Sequence, residues 1–140
     1  MKVINYLAVL FLSLTSCCYE NINPVDATLV IKNNSDRDIV YDFEFKNSND
    51  TSLYTNSYPI TAANLGPGLV PARKIIEVPD SFKKVFKNIP KDEVMMVFLF
   101  SRDTIEQVPW ERIADEYMVL KRFDLTLDSL ERRNWVLEYP

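Results

Sequence analysis

The sequence predicts a mainly β fold, an antiparallel β-sandwich-like domain with two or three short helices; a two-layer α+β sheet is the alternative. Three observations predict it. Residues 38–46 alternate polar and apolar with the period of a half-buried strand. Residues 94–100 (VMMVFLF) form an unbroken apolar run of strand length, fit for a central strand covered on both faces. The helical stretches are short and come late in the chain. Few connections therefore hold a helix long enough to join parallel strands, which favours antiparallel pairing.

Thr28 to Lys32 reads as the first strand and Asn33-Asn34-Ser35-Asp36 as a turn. In the second strand Ile39, Tyr41, Phe43 and Phe45 share one face. Asp38, Asp42, Glu44 and Lys46 share the other, with Val40 as the exception. The two strands are expected to form a hairpin with one buried and one wet face. Residues 47–73 are rich in Asn, Ser, Thr and Pro, hold both glycines (Gly66 and Gly68), and lack a clear period. They hide a short strand around Ser52 to Tyr58 or form a large surface loop.

Lys74 to Val78 reads as a strand. Asp80 or Ser81 is placed to cap a short helix with Phe82, Val85 and Phe86 at i, i+3 and i+4, and Pro90 stops it. After the central strand, Ser101-Arg102-Asp103 reads as a turn. Pro109 sits in the first turn of a helix whose inward stripe is Trp110, Ile113, Ala114 and Tyr117. Met118 to Leu125 returns as a strand. Thr126 caps a last helix, with Asp128 at its positive end and Arg132 and Arg133 at its negative end. Trp135 to Tyr139 closes as a strand with Trp135, Leu137 and Tyr139 on one face. The sum is five or six strands and three short helices.

The N-terminus carries a different kind of signal. Lys2 precedes an apolar stretch, residues 3–14, that is too short for the ~20 residues of a membrane-spanning helix and suits a secretory signal peptide. Leu14-Thr15-Ser16-Cys17 then resembles the bacterial lipobox. Small residues let the signal peptidase reach the backbone, and a free thiol accepts the diacylglyceryl group. Cys18 fits less well as acceptor, because it would put Thr15 at the Leu position. The expected organisation is a lipoprotein signal peptide over 1–16, a lipid-anchored tether over 17–25 and one β-rich domain over 26–140. A simple signal peptide or a buried N-terminal helix is the plainer reading of the same residues.

The net charge of −4 becomes one unit more negative once Lys2 is removed. An acidic balance argues against a nucleic-acid partner, and overall it lends no attraction toward anionic lipid heads. The two cysteines lie at the cleavage site, so the domain has no disulfide to form and must be stable by packing. Histidine is absent. That removes His-based acid–base chemistry, Ser-His-Asp and Cys-His arrangements and the commonest zinc ligands.

Several segments resemble a family. These are Phe100-Ser101-Arg102-Asp103-Thr104, Pro109-Trp110-Glu111, the C-terminal YMVLKRFDLTLDSLERRNWVLEYP and the opening ATLVIKNNSDRDI. They are similar to small envelope lipoproteins of Bacteroidetes whose function is unassigned. The likeness covers about half of residues 17–140 and leaves out 47–73. It implies an envelope location, a compact β-rich domain and no particular chemistry. Surface lipoproteins of that group carry adjacent acidic residues after the lipidated cysteine. Here Cys17-Cys18-Tyr19-Glu20 has one acid, which favours an outer-membrane position on the periplasmic face. The group also glycosylates Asp-Ser/Thr followed by an aliphatic residue. Asp103-Thr104-Ile105 and Asp128-Ser129-Leu130 match in form, with helix capping as the alternative.

Carboxylates crowd the C-terminal third: Asp103, Glu106, Glu111, Asp115, Glu116, Asp124, Asp128 and Glu131. A glycosidase needs two facing each other across a cleft. Interspersed Lys121, Arg122, Arg132 and Arg133 point instead to a salt-bridged surface. Trp110 and Trp135 fall on inward faces, so core packing accounts for them. Tyr54 and Tyr58 are the better candidates for ligand contact. The Asn-X-Ser/Thr sequons at Asn33 and Asn49 carry little meaning in a bacterium, and Gly66-Pro67-Gly68 lacks the spacing and lysine of a phosphate loop.

The expectation is a non-enzymatic lipoprotein anchored to the membrane by lipid on Cys17. It needs no cofactor, metal or nucleic acid, and it binds another envelope protein or acts as its accessory. A glycan- or peptide-binding module using the 47–73 loop is the alternative, and a carboxylate-only hydrolase stands behind both.

Overall fold

The apolar strands sort into two sheets packed face to face. The computed structural model describes residues 24–47, 49, 50, 53 and 68–140. The described residues form seven strands: β1 (Ala27–Asn33), β2 (Ile39–Asn47), β3 (Leu69–Val70), β4 (Ile75–Asp80), β5 (Glu93–Ser101), β6 (Lys121–Leu125) and β7 (Val136–Tyr139). Four short helices join them: α1 (Phe82–Asn88), α2 (Arg102–Gln107), α3 (Trp110–Asp115) and α4 (Leu127–Arg132). One sheet runs β4-β1-β7 and the other β3-β2-β5-β6. The mainly β, sandwich-like class is as the alternation predicts.

Strand parity builds the core. Leu29 and Ile31 of β1, Ile39 and Tyr41 of β2, and Met95, Val97 and Leu99 of β5 meet between the sheets. Phe43 and Phe45 join them at the margin, where they meet Phe82 and Phe86 of α1 edge to face. The other parity of β5, Met96, Phe98 and Phe100, forms a second cluster with Val40, Leu53, Ile105 and Ile113. Strand β5 is therefore covered on both faces, as its unbroken apolar run requires.

Several expectations are corrected. β1 and β2 do not form a hairpin. The turn after Asn33 carries the chain from one sheet to the other, and β1 pairs antiparallel with β4 instead. β7 runs parallel to β1, Val30 opposite Val136, so the pairing is not wholly antiparallel. Here the return path is long enough to close a parallel pair through the whole second sheet. The predicted wet face of β2 is covered: Lys46 is buried, and Asp42 and Glu44 are half-buried. Lys46 Nζ lies 3.0 Å from Glu44 Oε1 and 3.8 Å from Asp50 Oδ2, which compensates its charge.

Residues 102–107 form α2 rather than a turn, because Ile105 gains burial against β5. Tyr117 is exposed; its positive φ of 50° ends the turn after α3 and takes the ring off the inward stripe. β6 begins at Lys121, not Met118, and Pro109 is the N-cap of α3 rather than in its first turn. β3 adds a strand to the expected count. Trp135 precedes β7 in a left-handed conformation (φ 62°), uncommon for a bulky residue. Its indole packs 5.9 Å from the Phe82 ring, and that burial offsets the strain. The expected strand around Ser52 to Tyr58 falls, Leu53 apart, outside the described residues.

Candidate functional site

β1 continues its inward parity past Leu29 and Ile31 to Asn33, which is 1% exposed although polar. Its side chain knots the sheet-to-sheet corner together. Asn33 Nδ2 donates to the carbonyls of Arg37 (2.7 Å), Val70 (3.1 Å) and Pro71 (3.2 Å). Asn33 Oδ1 accepts from the Ser35 N–H (3.0 Å) and hydroxyl (2.7 Å). A buried amide so fully used holds the corner in one conformation.

Asp38 clamps the other side. Its Oδ1 accepts from the Ala72 N–H at 2.8 Å, and its Oδ2 meets Arg102 Nη1 at 3.1 Å. Arg102 in turn holds Glu106 Oε1 at 2.7 Å. The Ala72 N–H, then the Arg102 guanidinium, hold the Asp38 carboxyl below its ordinary range. Asp36 is bound by Arg73 Nη2 at 2.6 Å.

These residues wall a cleft of about 310 Å³ at the end of the sandwich, with Ile39, Ser101, Leu120 and Tyr139 as its other sides. Its carboxylates are already paired. Its one unpaired charged side chain is a cation. Among the described residues the Arg37 guanidinium and the Tyr139 and Ser101 hydroxyls make no hydrogen bond. The Arg37 backbone, by contrast, is pinned at both its N–H and its C=O by Ser35 Oγ. Rigid backbone thus presents one uncommitted cation beside Leu120, which is 45% exposed.

A second, more open groove of about 350 Å³ lies at the other end of the sandwich, between α1 and the start of α4.

The predicted site residues Cys17, Tyr54 and Tyr58 lie outside the described residues. Their loop neighbour Leu53 is buried against the outer face of β5. Trp110 and Trp135 pack into the core clusters, as the inward stripes indicated. Four of the eight C-terminal carboxylates are drawn into surface ion pairs: Glu106 with Arg102, Glu116 with Arg112, Asp124 with Arg122 and Asp128 with Arg132. The two Asp-Ser/Thr tripeptides begin α2 and α4. Ser129 is used in a capping box with Thr126, donating to its carbonyl and accepting from its N–H.

Asp36 and Asp38 do share a cleft. A proton donor, however, needs a raised carboxyl pKa, and Asp38 is shifted the other way. No group of three or more Cys, Asp or Glu poised for a metal occurs among the described residues.

Asn33, Arg37 and Asp38 were not singled out from sequence as a site. Asn33 had one available signal, its place in the inward parity of β1. Arg102 comes from 64 residues further along than Asp38, and nothing local announces that pairing.

No protein-family model, curated protein or solved structure matches this chain.

Proposed function

We propose that this chain is a lipid-anchored envelope protein whose sandwich is a non-enzymatic binding domain, and that it engages another envelope protein through the corner cleft. One observation carries the reading. The cleft is built on rigid backbone, its carboxylates are paired with arginines, and its one uncommitted charge is the Arg37 cation. That pattern fits acceptor-rich atoms of a partner, a carboxylate or a run of carbonyls, better than it fits a reaction. The position agrees with it. β1 runs from the chain's first described residues, beside Asp80, to the corner beside Tyr139. At ~3.3 Å per residue the cleft stands a strand's length from the tether.

Photocrosslinking in intact envelopes tests this. A crosslinker at Leu120, exposed on the wall of the cleft, is expected to trap one defined protein, and the same group at exposed Glu111 to trap none. Equal capture from both positions, or none from Leu120, would sink the reading.

A further inference from the structure

The net charge of the chain is negative, yet its lysines are not evenly spread. Lys83, Lys84 and Lys87 lie on α1 and Lys91 follows it, four within nine residues. Phe82 and Phe86 turn the opposite side of that helix into the sandwich. Lys84, Lys87 and Lys91 are exposed and Lys83 is half-buried, its ammonium 6.0 Å from the Trp135 ring. Among the described residues Lys87 and Lys91 make no ion pair, whereas Arg73, Arg102, Arg112, Arg122 and Arg132 all do. Three nearby carboxylates are engaged elsewhere: Asp26 with the N–H groups of Lys83 and Lys84, Asp80 with the Ser81 N–H, Asp92 with Asn47; Glu93 shares a groove with Lys87 and Lys91 but pairs with neither.

The same Asp26 bonds fix where the chain reaches the domain. Asp26 Oδ1 and Oδ2 each lie 2.8 Å from an α1 backbone nitrogen. Position 24, where the described chain begins, is thus two residues from the lysine-bearing helix. Residues 17–23 span at most about 25 Å even when fully extended. A lipid at position 17 would therefore tether the domain at this end of the sandwich, a strand's length from the corner.

We propose that the Lys83–Lys91 face docks on an anionic phospholipid surface and orients the tethered domain with its corner cleft outward. The inference rests on the lipid-anchor reading above. Charge complementarity supplies the attraction: a lysine near such a surface is worth about fivefold in partition, and the effect fades beyond a Debye length of ~8 Å. A tether of at most about 25 Å that joins the domain beside these cations lets them come within that range more readily than the corner does. The tethered chain, one unit more negative than the −4 of the full sequence once Lys2 is removed, has no general attraction to such a surface.

Amine labelling of the full lipidated chain tests the proposal, read by mass spectrometry at each lysine. The chain is reconstituted into vesicles of phosphatidylcholine alone and of phosphatidylcholine and phosphatidylglycerol in equal parts. On the mixed vesicles Lys87 and Lys91 are expected to label several-fold more slowly than on the neutral ones. Lys32 and Lys74, at the far ends of β1 and β4, should not change, and high salt should remove the difference. Equal labelling of Lys87 and Lys91 on both membranes would overturn the docking face while leaving the anchor intact. A chain that fails to float with neutral vesicles would overturn the anchor, and the docking face with it. The double variant Lys87→Gln/Lys91→Gln alters exposed side chains and should fold normally. It is expected to lose the protection of Lys83 and Lys84; full retention would also overturn the proposal.

Discussion

The carboxylate of Asp26 accepts a 2.8 Å hydrogen bond from the backbone N–H of Lys83, 57 residues away, and another from Lys84. The first turn of α1 is thus capped by the start of the domain and not by its own N-cap residue, since Ser81 makes no side-chain cap. Replacing Asp26 with Ala should cost about 1 kcal/mol, the usual worth of an N-cap, and Asp26→Asn much less. Urea denaturation midpoints of the two variants check this. Amide exchange should quicken first at Lys83 and Lys84.

Asn33 offers a sharper test of the corner. Asn33→Asp preserves shape but replaces the donor that serves three carbonyls with a carboxylate oxygen that repels them. A loss of about 2–4 kcal/mol is expected, from buried acceptors left unpaired and a buried charge. If chemical denaturation found Asn33→Asp within experimental error of the native chain, the knot would not be what holds the corner.

Asp38 predicts an acid limb. Its carboxyl is held below the ordinary value of 3.8 in the folded state, chiefly by the Ala72 N–H and then by Arg102. A depressed folded pKa stabilises the fold above the unfolded pKa, and that contribution is lost as pH falls through the folded one. Stability should therefore decline below about pH 4, and part of that decline should vanish in Asp38→Asn, which is less stable at neutral pH. Melting temperatures measured from pH 2 to 7 would show whether the two curves converge in acid.

Gly68 is required by proximity. A Cβ there would lie 2.7 Å from the Tyr41 carbonyl oxygen, which is backbone and cannot swing aside. Gly68→Ala should push β3 off β2 and cost about 1–3 kcal/mol. The loss of the Tyr41 N–H bond to the Gly68 carbonyl should appear as faster exchange at Tyr41.

Arg37→Gln separates binding from folding. The guanidinium bonds to nothing among the described residues, so thermal stability should stay within about 0.5 kcal/mol of the native chain, while capture of the partner at the cleft falls at least several-fold. An unchanged capture would mean that the partner uses another surface.

Most of the elements were legible in sequence because they are set by neighbours along the chain. The alternation in β2, the apolar run in β5, the Thr126 cap and the shared face of Leu137 and Tyr139 each depend on residues a few positions apart, and the sequence by itself determined them. So it did the absence of histidine and of an internal disulfide, and with them the chemistry that the fold has to do without. Strand partnership was decided elsewhere. Asn33 to Asp36 looks like a hairpin turn in isolation, yet β1 gains more by pairing with β4 and β7 and burying Leu29 and Ile31 against the facing sheet. Asp42 and Lys46 were read as solvated because alternation reports which residues share a face and not what covers it. The cleft belongs wholly to the tertiary structure. Asn33, Asp38, Arg102 and Tyr139 are brought to one corner by two sheets packing together, and a periodic pattern holds no record of which strand ends will meet.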